Sequence, residues 1–385
     1  MDIAQQFAAL TELLRRHRPL WHHQPFTDDT PPWPPELTAW VDALPDDAAD
    51  WLADAPSFVA DLASEIRTLS ALPPLPQTPL PMGADAARRI PGRKVQQIDA
   101  FCSAVLPHLA GHSGELVDWC AGKGHLGRTL LRHNGGRLLA LELDPTLVAA
   151  GQREADHLGL RARFVCADVC APATAELLQP SQFVAALHAC GDLHHALLTA
   201  AVARKVTGLA LAPCCYNKAT LAAGGALSQV GQIARLDLTA SDLALVHRDA
   251  TVASPGDLKQ SQQDQAWRLG FDLLLRAATG RDAYHAMPPF PRAWLRLPFG
   301  EFCQRFGALD GIAVAVRPEF EALGWQKLAQ VRRRERVRGL FRAALEAWLV
   351  LDRALVLVQA GWRVEVSQFC PPTVTPRNLL IIGTR

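Results

Sequence analysis

The 385 residues show few of the features expected of a chain carried into or across a membrane. Its opening Met1-Asp-Ile-Ala-Gln-Gln6 has neither a basic patch nor the apolar run of a leader, and its most apolar helical stretch, about 340 to 360, is interrupted by Glu346, Asp352 and Arg353. Cysteines are present, nine of them, but that odd number without a leader argues against a disulfide framework and for a reducing compartment. No Cys-x-x-Cys pair occurs, so zinc is not expected. A surplus of charge of one sign is missing too, at net +1, and this hides an asymmetry. Residues 1–80 hold 12 acidic and 4 basic residues, whereas the remainder holds 35 basic and 26 acidic. The expectation is a soluble, cytoplasmic protein with no membrane partner and no metal, whose asymmetry reads either as ordinary surface variation or as a basic part suited to a polyanion with an acidic appendage that partly shields it or contacts another protein.

What is present begins at residues 115–124. An apolar strand ends in Asp118, followed by Cys120-Ala121-Gly122 and Gly124. A glycine turn lets backbone approach a nucleoside, and the helix behind it offers N–H groups to a carboxylate. The pattern reads as the start of an S-adenosylmethionine site, although Gly122-x-Gly124-x-x-Gly127 alone also satisfies the dinucleotide fingerprint. A second strand ends at Glu142-Leu143, about twenty residues on, where an acid binds ribose hydroxyls in either case.

The following strands favour the methyl donor. Residues 162–167 lead into Asp168-Val169, placed for an adenine amine. Residues 183–187 lead into His188-Ala-Cys190-Gly191, and 206–211 into Pro213-Cys214-Cys215-Tyr216. Polar groups thus terminate five successive strands, and in an open parallel sheet ligands lie at that edge. Each acid taken singly would read as a helix cap or loop residue.

Together, Cys120-Ala-Gly-Lys-Gly-His-Leu126, His188-x-Cys-Gly191, Cys214-Cys-Tyr216 and Thr375-Pro-Arg-Asn378 resemble class I methyltransferases of two groups. These are the proteins named for a ribosomal-RNA adenine dimethylase domain and the tRNA acceptor-stem 2′-O-methyltransferases. The likeness spans roughly 88–218 and 340–385. It implies a Rossmann-like α/β sheet with an antiparallel last strand, S-adenosylmethionine as cofactor, and an RNA substrate. One position departs from the pattern: Cys120 stands where most such enzymes have glycine, and its side chain should narrow the turn.

Four segments are expected: a helical module and proline-rich linker over 1–80, the first part of the core over 83–218, a mostly helical substrate-recognition insert over 219–330, and the last helix and two strands over 331–385. Helical spacing of Phe7, Leu10 and Leu14, of Leu37 and Val41, and of Val59, Leu62 and Ile66 marks the module. Its tryptophans, Trp21, Trp33, Trp40 and Trp51, have few basic residues beside them and read as helical packing against the main domain rather than a base-stacking platform. One helix is expected over 330–360, with an apolar stripe from Val337 to Val358. Ahead of the stripe, Arg332, Arg333, Arg334, Arg336 and Arg338 form a candidate phosphate patch, against the plainer reading of a solvated face. Past Gly361 a hairpin carries Arg377 and Asn378, read both as ligand-edge residues and as a simple turn.

His188 is the candidate base, with Asp192 as its orienting partner. A pyrimidine-carbon acceptor would instead need a thiolate from Cys190, Cys214 or Cys215, with Tyr216 beside them. The leading expectation is methyl transfer to oxygen or nitrogen of tRNA or rRNA. A protein or small-molecule acceptor, and a degenerate fold acting as an adaptor, are the alternatives.

Overall fold

The computed structural model describes residues 1–46, 50–76, 80, 90–220, 225–247, 255–309, 311–313, 315 and 317–385. Pro79, Pro81 and Gly83, where the sequence puts the end of the linker and the start of the core, lie outside them.

All seven expected strands form, as β1 (Leu116–Trp119), β2 (Leu138–Glu142), β3 (Ala162–Cys166), β4 (Phe183–Cys190), β5 (Gly208–Cys214), β6 (Arg363–Gln368) and β7 (Leu379–Thr384). They make one sheet in the order β3-β2-β1-β4-β5-β7-β6. The first five are parallel, and β7 runs antiparallel between β5 and β6. β1 and β5 are buried along their whole length, which is why they read as unbroken apolar runs rather than alternating ones. The helix after β2 starts where the sequence supplies a cap: the Asp144 carboxylate accepts from Thr146 N–H at 2.7 Å with Pro145 at the first helical position.

The chain divides into two compact parts, and not along the four expected segments. Met1–Arg15, Arg67–His247 and Ala343–Arg385 form the sheet-bearing part; Arg16–Ile66 and Arg248–Arg342 form the other. The first helix, Ile3–Arg16, belongs mainly with the sheet because Phe7 stacks on Trp348 at 5.1 Å and Thr11 accepts from the Trp348 indole. In the described part of the linker, Pro74 bridges Gln368 at the outer strand β6.

The second part is helical, with a core of Trp267, Phe271, Phe302 and Phe306 from the helices Pro255–Thr279 and Phe299–Leu309. A second cluster there joins Trp33, Leu37, Val41 and Val59 to Val337, so Trp33 packs in the core of this helical part and not, as the sequence suggested, against the main domain.

The single helix expected over 330–360 is two, Glu319–Leu340 and Arg342–Gln359, separated at Phe341. The arginines therefore occupy the last turns of a helix whose first turn carries Glu319 and Glu321, a polarity the helix dipole favours. Among the described residues no helix is long and apolar enough to cross a membrane.

Candidate functional site

The loop after β1 takes its shape from two acids. Asp118, 2% exposed, accepts from Gly127 N–H at 2.8 Å and so ties the strand to the helix His125–Asn134. Burial outweighs that bond and pushes its carboxyl up to about 7. Glu142 Oε2 accepts from Gly122 N–H at 2.7 Å, while Oε1 accepts from Leu143 and Asp144 N–H at 2.9 and 3.0 Å. Gly122 has φ +58°, and a Cβ there would meet nothing within 4 Å, whereas a Cβ on Gly124 would lie 2.3 Å from the Phe164 ring. The two glycines thus serve different ends: Gly124 permits packing, Gly122 leaves an open backbone face. Cys120 holds φ +61°, a left-handed conformation that suits glycine, and burial pushes its thiol up to about 12.

A cavity of about 450 Å³ opens here, its wall including Arg93, Lys94, Asp118, Cys120, Gly122 and His188. Leu143 is 64% exposed beside Glu142, and Asp168, also exposed, accepts from Cys170 N–H through Oδ1. Val169 is buried.

His188 sits at a bulge in β4 with φ +64°. Its partner is Gln97, not Asp192. The Gln97 amide donates to Val374 O at 3.3 Å, which turns its Oε1 toward His188 Nε2 at 3.0 Å and leaves the ring lone pair on Nδ1. Burial, aided by the charges of Lys94 and Arg377, lowers the imidazole to about 4, so it is neutral at physiological pH. Asp192 instead accepts from the Thr220 N–H and hydroxyl and faces His195 at 3.5 Å.

The strand-end cysteines converge. Cys190 and Cys214 Sγ are 3.1 Å apart, and the Cys215 sulfur lies within 4.8 Å of both. Hydrogen bonds, first from Cys214 and then from Cys215, with the Lys218 charge, lower the Cys190 thiol to about 6 against the opposing effect of burial. Tyr216 is a wall residue: 1% exposed, its ring stacks on His247 at 5.7 Å and lies under the Arg353 guanidinium. Asn378 is structural as well, buried and donating to Cys370 O at 2.6 Å. Arg377 donates to His247 O.

The arginine run is not an open patch. Arg334, 5% exposed, donates through Nε and Nη2 to both oxygens of Asp42 at 2.9 and 2.7 Å, and to Asp29 O at 2.6 Å. Arg338 is buried and donates to Trp21 O; Arg333 pairs with Asp46, and Arg336 donates to Pro45 O and Asp46 O. Arg332 is exposed. Asp42 and Asp46 of the N-terminal module thus meet Arg334 and Arg333, and backbone carbonyls there accept from Arg336 and Arg338, because both segments fold into one part.

Sequence reasoning missed Gln97, Arg93 and Lys94, which precede every glycine or strand-end motif. It also missed the buried group in which Arg353 donates to Gly225 O and contacts His194, His195 and Asp352. The adjacent charges at 352 and 353 in a largely apolar helix were its only signal.

Residues 93–221 match a family described as a methyltransferase domain, and they span the loop, both acids, His188 and the three cysteines. Among solved structures, an S-adenosylmethionine-dependent methyltransferase from Clostridium acetobutylicum aligns at 12% identity and TM-score 0.25, over 29% of this chain and 48% of that one. TehB from Haemophilus influenzae aligns at 10% and 0.24, over 28% and 39%. Geranyl diphosphate C-methyltransferase from Streptomyces coelicolor aligns at 16% and 0.23, over 40% and 64%. The chain spans about half or less of the first two, and likeness at these scores carries no function across. The chain carries a methyltransferase domain at 93–221 on a seven-stranded α/β sheet with an antiparallel last strand.

Proposed function

We propose that this protein is an S-adenosylmethionine-dependent methyltransferase acting on oxygen or nitrogen of an RNA, tRNA or rRNA. The observation that carries the reading is the glycine turn after Asp118, shaped by Glu142 and opening on a cavity of about 450 Å³ lined almost wholly by residues of the matched methyltransferase domain.

The residues fit the donor. Glu142 uses about three of a carboxylate's roughly four acceptor positions on backbone, which leaves capacity for a ribose hydroxyl. Leu143 offers an exposed apolar face to a purine, and Asp168 keeps Oδ2 for an exocyclic amine. Cys120, Ala121, Gly122 and Gly124 supply the turn, and Val169 supports the Asp168 end. Asp118 meets the donor's positive charge.

The bound donor supplies an electrophilic methyl group. The chain's task is to hold an acceptor in line with it and expel water, from which much of the acceleration follows. Neutral His188 orients an acceptor O–H or N–H through Nδ1; with its pKa near 4 it is a weak base, suited to hydrogen bonding more than to abstraction. For an RNA acceptor the phosphate-facing cations are Arg93 and Lys94 on the cavity wall, rather than the arginine run, whose charges are largely engaged.

Calorimetry with S-adenosylmethionine, followed by transfer of labelled methyl to total RNA, total protein and small-molecule extract, tests the reading. Label in RNA supports it. Label in protein or in small molecules moves the acceptor, binding without transfer favours an adaptor, and absence of binding overturns the enzyme reading. A covalent RNA adduct lost in Cys190→Ser would move the acceptor to a pyrimidine carbon.

A further inference from the structure

Consecutive residues of a strand point to opposite faces, so Cys214 and Cys215 should not share a partner. They do, because β5 ends at Cys214 and Cys215 takes a left-handed conformation, φ +47° and ψ +50°. That conformation is unfavourable for a side-chain-bearing residue and persists where surroundings impose it. Opposite, β4 delivers Cys190 in register with Cys214, and Gly191 follows at φ +52°. A Cβ on Gly191 would stand 2.6 Å from the Lys218 carbonyl carbon, so the two turns are pressed together. The result is three sulfurs, from two turns, within 4.8 Å of one another.

We propose that Cys190, Cys214 and Cys215 form a binding site for a single thiophilic cation of the zinc class, held by three thiolates with a fourth position open. The inference is independent of the donor-site reading. Three sulfurs around an ion with metal–sulfur bonds of about 2.3 Å lie roughly 3.8 Å apart, within the observed spread, and the Cys190–Cys214 pair need open by only about 0.7 Å. A disulfide would employ only two of the three sulfurs, whereas one ion employs all three. Cys190 and Cys215 are half-buried and give the ion access, whereas Cys214 is buried. A divalent ion with three thiolates carries net charge −1, and Lys218 is the cation facing Cys190 and Cys215. Cysteine spacing along the sequence shows only neighbours in the chain; the fold supplies the neighbours in space.

The test uses the full chain, reduced, stripped with chelator and titrated anaerobically with Zn²⁺ or Cd²⁺ alone. Native mass spectrometry should show one bound ion. One equivalent should protect Cys190, Cys214 and Cys215 from alkylation, with a saturable thiolate–cadmium absorption. Cys190→Ser and Cys215→Ser should each weaken binding by more than the roughly 10- to 100-fold that loss of a mere outer partner costs. The Cys166→Ser, Cys170→Ser double variant, which removes the two exposed thiols, should bind as wild type. Unchanged alkylation of the three cysteines, affinity unchanged in both single serine variants, or binding lost in the double variant would each overturn the site.

Discussion

At the sheet edge the Glu142 carboxylate is satisfied by N–H groups within 20 positions of it, whereas Arg334 is satisfied by Asp42, 292 positions away. Both clusters announce themselves in sequence as charge in a pattern. The first is a local motif: glycines and an acid at fixed spacing dictate a turn, and the turn leaves Gly122 open to a ligand. The second is a run of like charge whose availability depends on what folds against it. Here the acidic module neutralises it. Spacing motifs carry their geometry with them; charge runs do not.

The largest expected effect tests that neutralisation. Asp42→Ala strands the buried Arg334 guanidinium, and breaking such a pair costs about 3–5 kcal/mol. Chemical denaturation should show the loss; a change below about 1 kcal/mol, ordinary for a solvated pair, would return the run to the surface. The sign with pH is fixed. Burial alone would raise the Asp42 carboxyl, but the Arg334 hydrogen bond and charge hold it below its ordinary value. Its contribution is therefore present above the usual carboxylate range and is lost as pH falls through the depressed value, and the variant should lose that acid sensitivity.

Next comes the donor side. Glu142→Ala should weaken S-adenosylmethionine binding by about 1.5–3 kcal/mol, the cost of charge-assisted hydrogen bonds. Since Glu142 also holds three backbone N–H groups, Asp144→Ala serves as the comparison: it removes a helix cap worth about 1 kcal/mol of stability and should leave binding nearly intact. Equal losses of affinity in both would assign the effect to the turn rather than the ligand.

Strands β1, β2, β4 and β5 were readable because they are largely buried and so form apolar runs that end in polar residues. The acids and glycines of the site were readable for the same local reason. Three things were not. The break at Phe341 carries no proline and falls within an unbroken apolar stripe. Gln97 is a neutral amide 91 positions from the histidine it orients, with no charge or period to betray it. The third sulfur of the cysteine cluster depends on one left-handed residue, Cys215, which adjacency in sequence argues against.

A smaller effect follows from Asp118. Its carboxyl titrates at about 7 because it is buried, so below that pH the unliganded protein holds it protonated. A cationic donor favours the ionised form. Affinity should then fall as pH drops below about 7, by at most tenfold per unit, and level off above it; Asp118→Asn should flatten the profile. A wild-type profile flat from pH 5 to 8 would separate Asp118 from the donor's charge.

The smallest effect separates the two sets of cations. If RNA meets the cavity wall, replacing Arg93 and Lys94 by alanine should reduce the dependence of log affinity on log salt by about 0.7 for each single-strand phosphate that is no longer neutralised. Arg333→Ala and Arg336→Ala should change that slope by less, because those side chains already face Asp46 and the carbonyls of residues 45 and 46. Their removal should register in denaturation instead. Slopes measured on one RNA across a salt series decide between them: a larger change from the 333 and 336 pair than from the 93 and 94 pair would mean that phosphate displaces the acids, and would reverse the contrast between the two clusters.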